Sequence, residues 1–442
     1  MTSARRALRA AAVLVVAACW AGVALAAGGG LDPSFSGDGW VRTLQVRSST
    51  DSYLPAGAED VALQPDGRIL VTGEIIDPTS HWYFGVFRYT ANGSLDRSFG
   101  GGGFAEVDLG NAEFAHAVAV QRNGRIVVAG EADCPFAVCF ALVRFLPDGR
   151  LDRSFGANGV VRTMFARYGA SRAYDVAVQP DGKIVAAGMR FLGNDAQNDE
   201  LFAVARYLPN GKLDRSFSRD GLASVDFGYS DAVASAVAVQ RGGKIVVAGS
   251  GARNASRTEE DFAVARLRAN GRLDRSFSGD GRATVDFGHR LSDGVHGLAF
   301  GRGGRIVLAG SSGKRGAAPR ISVARLLANG RLDRSFGAGG RRLTRPGRFG
   351  GYARAVVQQP DGRIVVAGRV FDDRRLDTSA WVLARYGRGG ALDRSFGRGG
   401  LVVSDFSTGA DWVGALAVQR NGRIVAAGSV GESQALARYR AG

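Results

Sequence analysis

The chain has 442 residues, with 57 Lys and Arg against 41 Asp and Glu, a formal charge of +16 and three cysteines. That length is too great for one ordinary hydrophobic core, which excludes a simple single-core domain. The charge raises nucleic acid or an anionic surface as partners, and the remainder of the chain decides between them.

The first residues read as an export signal. Arg5, Arg6 and Arg9 make a basic start, Ala10 to Ala26 carries no charge, and Ala24-Leu25-Ala26 offers small residues for cleavage after Ala26. The uncharged stretch of 17 residues is marginal for spanning a membrane. A second reading stays open, because Val16-Ala17-Ala18-Cys19 resembles a lipobox in which Cys19 would be acylated. Against it stand Trp20 and the apolar run that continues to Ala26. The expected division is a signal peptide, 1–26, and a repeat domain, 31–442, secreted or held at the cell envelope.

From residue 31 the phrase Leu-Asp-x-Ser-Phe recurs seven times, starting at Leu31, Leu95, Leu151, Leu213, Leu273, Leu332 and Leu392, at spacings of 56 to 64 residues. Self-similarity at such a period means that each unit buries its apolar face against its neighbours. The stretch from Tyr174 to Gly228 shows one unit. Asp175 to Gln179 alternates around small residues, Pro180-Asp181-Gly182 turns the chain and Lys183 to Gly188 returns it, which predicts a hairpin. Leu201 to Tyr207 predicts a third strand, Pro209-Asn210-Gly211 a second turn, and Lys212 to Phe217 the start of a fourth. A three-residue bulged turn sets Arg206 opposite Asp214, whereas a two-residue turn would set Arg206 against Arg215; like charges face to face destabilise a sheet, so the bulged turn is expected.

Four short antiparallel strands repeated seven times predict an all-β fold, a seven-bladed β-propeller of four-stranded antiparallel blades. A β-solenoid needs shorter coils and no paired hairpins. The ends predict closure: Trp40-Val-Arg-Thr43 is a fourth strand with no first three before it, and the C-terminus ends on a third strand at Tyr439. Pairing the two would complete the seventh blade and remove an open edge.

Basic residues follow the same period. Seven come after the first hairpin Gly (Arg68, Arg125, Lys183, Lys244, Arg305, Arg363, Arg423), seven lie in the third strand (Arg88 to Arg438), and six occupy the Leu-Asp-Arg-Ser-Phe phrase from Arg97 to Arg394. Spread around an array they form no patch, so nucleic acid is not expected; acidic wall polymers or lipid headgroups remain as anionic partners. Losing the three leader arginines lowers the charge to +13. Cys134 and Cys139, the cysteines outside the leader, are expected to form a disulfide in an oxidising compartment, and two thiolates with no nearby His cannot fill a metal shell.

The phrases Ala-Val-Gln-Pro-Asp-Gly-Lys-Ile-Val-Ala-Ala-Gly and Phe-Ala-Val-Ala-Arg-Tyr-Leu-Pro-Asn-Gly-Lys-Leu-Asp-Arg-Ser-Phe, residues 177–188 and 202–217, resemble the bacterial delta-60 repeat. The likeness covers essentially all of residues 31–440; a weaker one is to NHL repeats. It implies a β-propeller of unknown function in exported and cell-surface proteins and brings no catalytic residues. Leu298-Ala-Phe-Gly301 departs from the usual Val-Ala-Val-Gln, so the fifth unit is expected to pack differently.

Function is sought where the repeat varies. The connections between second and third strands vary most, from Asp77–Trp82 to Gly431–Gln434. Alignment also places Glu59, His116, Tyr174, Ser235, His296, Arg354 and Gly414 at one equivalent first-strand position near the channel mouth. Such a ring of carboxylate, imidazole, phenol and guanidinium is a candidate ligand site, although solvent-facing variation explains it equally. No Gly-x-Ser-x-Gly, His-Glu-x-x-His, Walker or EF-hand motif is present. No catalytic residue, metal site or cofactor is therefore expected. The leading reading is a monomeric exported scaffold for an unknown ligand, envelope protein or polymer. The alternative is an enzyme, a lyase, hydrolase or quinone-dependent dehydrogenase, working at the channel mouth.

Overall fold

The computed structural model describes residues 28–442 except 45, 48–51, 78–80, 111–112, 192–199, 229–230, 253–258, 289–290, 315–316 and 373–377. The expected leader, with Cys19, lies outside the described residues, as do parts of several connections between second and third strands.

The unit is clearest at 171–225, where Ser171–Val178, Ile184–Phe191, Glu200–Tyr207 and Leu222–Val225 pair antiparallel in chain order. Gly182, at φ +85°, closes the first hairpin by donating to the Gln179 carbonyl at 2.9 Å. The same four-strand order recurs at 52–107, 114–163, 231–285, 292–344 and 351–404. Trp412–Val418, Ile424–Val430 and Ser433–Tyr439 take their fourth partner from the other end of the chain: Trp40 pairs with Ala437 and Thr43 with Gln434. Among the described residues the one helical element is a 3₁₀ turn at Arg302–Gly304, which follows the departure at Gly301 in the fifth unit. No described helix is long and apolar enough to cross a membrane.

The second turn has the expected register. The Leu208 amide donates to the Lys212 carbonyl at 2.8 Å, Gly211 sits at φ +88°, and the Arg206 Nε donates to Asp214 Oδ2 at 2.9 Å. The segment after it differs from expectation. Only Leu213 bridges back, to Tyr207, and the strand proper begins at Leu222. Asp214 causes the difference: its Oδ1 accepts both the amide and the hydroxyl of Ser216, at 3.0 and 2.6 Å, which curls Leu-Asp-Arg-Ser-Phe into a turn. Phe217 then leaves the sheet and is fully buried in a cluster shared with the next unit, beside Val237 and Val247. Burying such a side chain contributes about 1.5–3 kcal/mol.

Every apolar cluster is shared by adjacent units in this way. One of them joins Phe35, Val71 and Phe87 to Ala427 and Leu436 from the C-terminal strands. Each first strand packs against those of its two neighbours, and Trp412–Val418 packs against Ser52–Leu63. The architecture is all-β and propeller-like.

Candidate functional site

The position aligned from the sequence is a bulge. In the unit at 171–225, Ala173 pairs with Gly188 and Asp175 with Ala187, so Tyr174 has no partner in the ladder. The same break occurs at His116, Ser235, His296, Arg354 and Gly414, and a wider one spans Gly57 to Glu59. An extra residue in one strand of a pair is released from the pleat and its side chain is re-aimed.

The repeat phrase supplies the cause. A Cβ on Gly188 would collide with the carbonyl oxygen of Arg172, which the bulge pushes toward the second strand. Gly73, Gly130, Gly249, Gly310, Gly368 and Gly428 stand in the same relation to the carbonyls of Gly57, Phe114, Val233, Gly294, Tyr352 and Trp412. The glycine at this level of each second strand, Gly188 in Ile-Val-Ala-Ala-Gly, is thus the space into which the bulge is built.

All seven bulge positions border one cavity of about 490 Å³. Gly414 contributes no side chain, because a Cβ there would meet the Ala58 carbonyl oxygen. Arg354 instead lies over the Trp412 ring, 4.6 Å from its centroid, with Nη2 3.6 Å from Glu59 Oε2. His116 stands 5.3 Å from the Tyr174 ring, and its Nε2 is 3.8 Å from Glu131 Oε1; the other oxygen of Glu131 pairs with Arg172 at 2.5 Å. Burial raises the Tyr174 hydroxyl above the usual phenol range. His296 opens to the cavity, yet its enclosure and then the Arg354 charge hold it below the ordinary imidazole range. Among the described residues neither His116 nor His296 belongs to a group of metal-ligating atoms.

Two cavity residues escaped the sequence reading. Asp60 and Asp175 follow the bulge positions Glu59 and Tyr174, where the other units carry Ala117, Ala236, Gly297, Ala355 and Ala415. The exception to a run of small residues was the available signal. Each carboxylate spans a unit boundary: Asp60 Oδ2 accepts the Val118 amide at 2.9 Å, and Asp175 Oδ2 accepts the Val237 amide at 2.6 Å. Burial pushes Asp60 up to about 6; burial, then the charge of Asp60, pushes Asp175 up to about 8. The protonated form of Asp175 is thereby favoured in a cavity that also holds Glu59, His116, His296 and Arg354.

Most of the periodic basic residues are committed elsewhere. Each Asp of the repeated phrase receives at least two cations, as Asp214 does from Arg206 at 2.9 Å and Lys183 at 3.1 Å. The equivalents are Asp32, Asp96, Asp152, Asp274, Asp333 and Asp393. Burial alone would raise these carboxyls, but the Ser hydroxyl and amide and the paired cations outweigh it, and Asp214 falls to about 2. The third-strand arginine also reaches the next unit: Arg88 donates to the Pro147 carbonyl, and Arg438 to Ala91 at 2.8 Å. Arg97, Arg153, Arg215, Arg275, Arg334 and Arg394 are exposed. Cys134 and Cys139 are joined in a disulfide, and within that loop the exposed Phe136 meets the exposed Tyr168 edge-on at 5.4 Å, with Arg167 over both rings.

A cavity framed by the bulged inner strands of repeated four-stranded units defines a β-propeller repeat protein. More particularly, a family profile described as "Domain of unknown function (DUF5122) beta-propeller" matches six times, at residues 64–99, 121–155, 179–217, 240–277, 304–336 and 359–396, and the chain belongs to that family. The fifth match starts beyond Gly301, where the phrase departs. A search of the curated proteins finds no match. Solved structures similar to this chain include a protein of unknown function from Dyadobacter fermentans DSM 18053, at 13% identity and TM-score 0.44 over 74% of this chain and 94% of that one. The PQQ-bound aldose sugar dehydrogenase of Streptomyces coelicolor gives 12%, 0.41, 91% and 98%, and the WD40 β-propeller domain of Doa1 gives 10%, 0.45, 91% and 97%.

Proposed function

We infer that the chain is an exported, closed propeller of seven blades that works as a binding scaffold, taking a small polar ligand at the mouth of its channel. The observation that carries this reading is the convergence of the bulge residues on one cavity, with Glu59, Asp60 and Asp175 contributed by the first and third units and His296 and Arg354 by the fifth and sixth. A ligand that donates hydrogen bonds or carries a positive group suits the carboxylates, and an acidic group on it suits Arg354. Seven blades and closure are supported by Trp40–Thr43 pairing with the last strand and by Arg438 reaching Asp32 and Ala91. The basic leader before Ala26 supports export, with release after cleavage or an anchor at Cys19 as the two outcomes. The end of the sheets that carries the hairpin turns bears the six exposed arginines, which suits an anionic envelope polymer.

A thermal-shift and calorimetric screen of the mature chain against amino acids, polyamines, sugars and acidic sugars tests the channel. Binding is expected to be weakened at least about tenfold by Asp175→Asn or Arg354→Ala, each loss equivalent to about 1.4 kcal/mol. A hit unaffected by both variants would move the site off the channel. The upward shift of the Asp175 carboxyl favours a second reading, an enzyme using it as general acid. Turnover of any ligand found, lost in Asp175→Asn while binding persists, would decide for it.

A further inference from the structure

A second constellation lies outside the channel, where the first unit meets the next. His81 precedes the third strand Trp82–Tyr89, Asp108 follows the fourth strand Phe104–Val107, and Glu113 precedes the next unit's first strand, Phe114–Val120. The His81 Nε2 stands 3.4 Å from Asp108 Oδ1 and 3.9 Å from Glu113 Oε1, and one ligand atom from each residue lies within 4.8 Å of the others. Glu113 is 1% exposed. Its Oε2 accepts the Leu109 amide at 2.8 Å, but its Oε1 points at the imidazole with no hydrogen bond, and the His81 Nε2 is likewise shielded and unbonded. Among the described residues neither atom has a hydrogen-bond partner, and burying a polar atom without one costs free energy.

The imidazole is held in place from behind. The His81 amide donates to Asp77 Oδ1 at 2.9 Å, and the ring packs edge-on to Tyr83 at 4.9 Å. Asp108 Oδ1 also accepts the Gly110 amide at 2.9 Å, which leaves a lone pair for another partner. An acidic residue at the Glu113 position is partly structural: Asp293 and Asp411 occupy it in other units and accept the Phe287 and Phe406 amides at 2.8 and 3.1 Å. The feature distinctive of this boundary is the imidazole that joins Asp108 and the free oxygen of Glu113.

We propose that His81, Asp108 and Glu113 form a binding site for a divalent transition-metal ion, Zn²⁺ by preference, with one coordination position open to solvent on the Asp108 side. One nitrogen and two carboxylate oxygens make a borderline donor set that suits Zn²⁺ better than Ca²⁺ or Mg²⁺. With bonds of about 2.0–2.2 Å, ligand atoms in a tetrahedron stand about 3.3–3.6 Å apart. The His81–Asp108 gap has that length, and the His81–Glu113 gap reaches it with a movement of a few tenths of an ångström. Metal ligands bind in their deprotonated forms, so loading is expected to strengthen as pH rises.

The test uses the full mature chain, stripped with chelator and titrated with Zn²⁺, Mn²⁺ or Ca²⁺ by calorimetry and thermal shift. One equivalent of Zn²⁺ and a rise in Tm of several degrees are expected, with Mn²⁺ weaker and Ca²⁺ weakest. His81→Ala is expected to abolish the Zn²⁺ response and leave the metal-free Tm within about a degree, and Glu113→Gln, which keeps the Leu109 hydrogen bond, to weaken binding at least about tenfold. Replacement by Co²⁺ is expected to give the visible absorption of a low-coordinate site. Absence of Zn²⁺ binding, or binding that survives His81→Ala, would overturn the assignment. So would a pH-dependent Tm lost in His81→Ala without any metal response, which would mean that a proton alone bridges the three groups.

Discussion

The Asp175 carboxylate accepts the amide of Val237 at 2.6 Å across a unit boundary, two residues beyond the bulge at Ser235. Asp60 and Val118 repeat that relationship at 2.9 Å, beyond the bulge at His116. Both carboxyls hold together the inner strands that shape the cavity and also lie exposed to whatever enters it. A ligand bound at the proposed site would thereby be coupled to the seams between units.

That coupling fixes a pH dependence. A carboxyl raised in the folded state binds its proton there at pH values where the unfolded chain has released it, so its contribution to stability is present at low pH and lost as pH rises. With Asp175 raised to about 8 and Asp60 to about 6, stability should decline from pH 4 toward 8 on their account. The lowered Asp214 acts in the opposite sense and only below about pH 4. Denaturant unfolding of wild type and Asp175→Asn from pH 4 to 9 should show the variant gaining relative stability as pH rises; parallel curves would mean that Asp175 is ionised throughout.

Gly188→Ala should destabilise the chain by about 2 kcal/mol or more, because the new methyl meets a backbone carbonyl that the bulge has pushed inward, and backbone cannot rotate aside. The same substitution should weaken any channel ligand, since Tyr174 would be re-aimed. Equilibrium unfolding with a ligand titration would register both effects, and an unchanged midpoint would count against the bulge.

The seam between the chain ends can be compared with an internal boundary. Asp214→Asn removes the negative charge beside the buried Arg206 and leaves one oxygen for the bonds now made by two, and should cost about 3 kcal/mol. Asp32 receives Arg423 and Arg438, both at 2.8 Å, so Asp32→Asn should cost a similar amount. Urea unfolding of the two variants side by side would decide: a full loss for Asp214→Asn with none for Asp32→Asn would mean that the ring is open in solution.

Replacing Cys134 and Cys139 together by Ala should lower global stability by less than about 2 kcal/mol, because the closed loop is short. Hydrogen exchange should rise locally, around Phe136. A collapse of the whole fold would contradict a merely local tether.

Much of this architecture was legible in the chain. The Arg206–Asp214 register followed from avoiding Arg206 against Arg215, and alignment alone placed Glu59, His116, Tyr174, Ser235, His296 and Arg354 around one opening. The bulge was not legible, since a residue left out of a ladder has no propensity of its own; it shows only in the glycine across from it. The pairing of Lys183 with Asp214 was hidden for a different reason. Those residues are 31 positions apart in sequence and meet only once the hairpin and the second turn have both folded. His81, Asp108 and Glu113 likewise come from two separate connections, one before Trp82 and one between Val107 and Phe114, with no motif spacing between them.

On the binding reading proposed above, the unpaired bulge residues are the part of the chain left free for recognition, while the repeated phrases specify structure. Tyr174 makes no ladder hydrogen bond, and Gly188, not Tyr174, is what the fold requires at that level. Apart from Gly414, where a Cβ would meet the Ala58 carbonyl, these positions hold carboxylate, imidazole, phenol, hydroxyl or guanidinium on the same sheet geometry, as Glu59, His116, Tyr174, Ser235 and Arg354 show. One scaffold can therefore be respecified by exchanging side chains around a single opening, and a library confined to those sockets would change what the channel holds while leaving the seven Arg–Asp pairs, and the assembly they maintain, untouched.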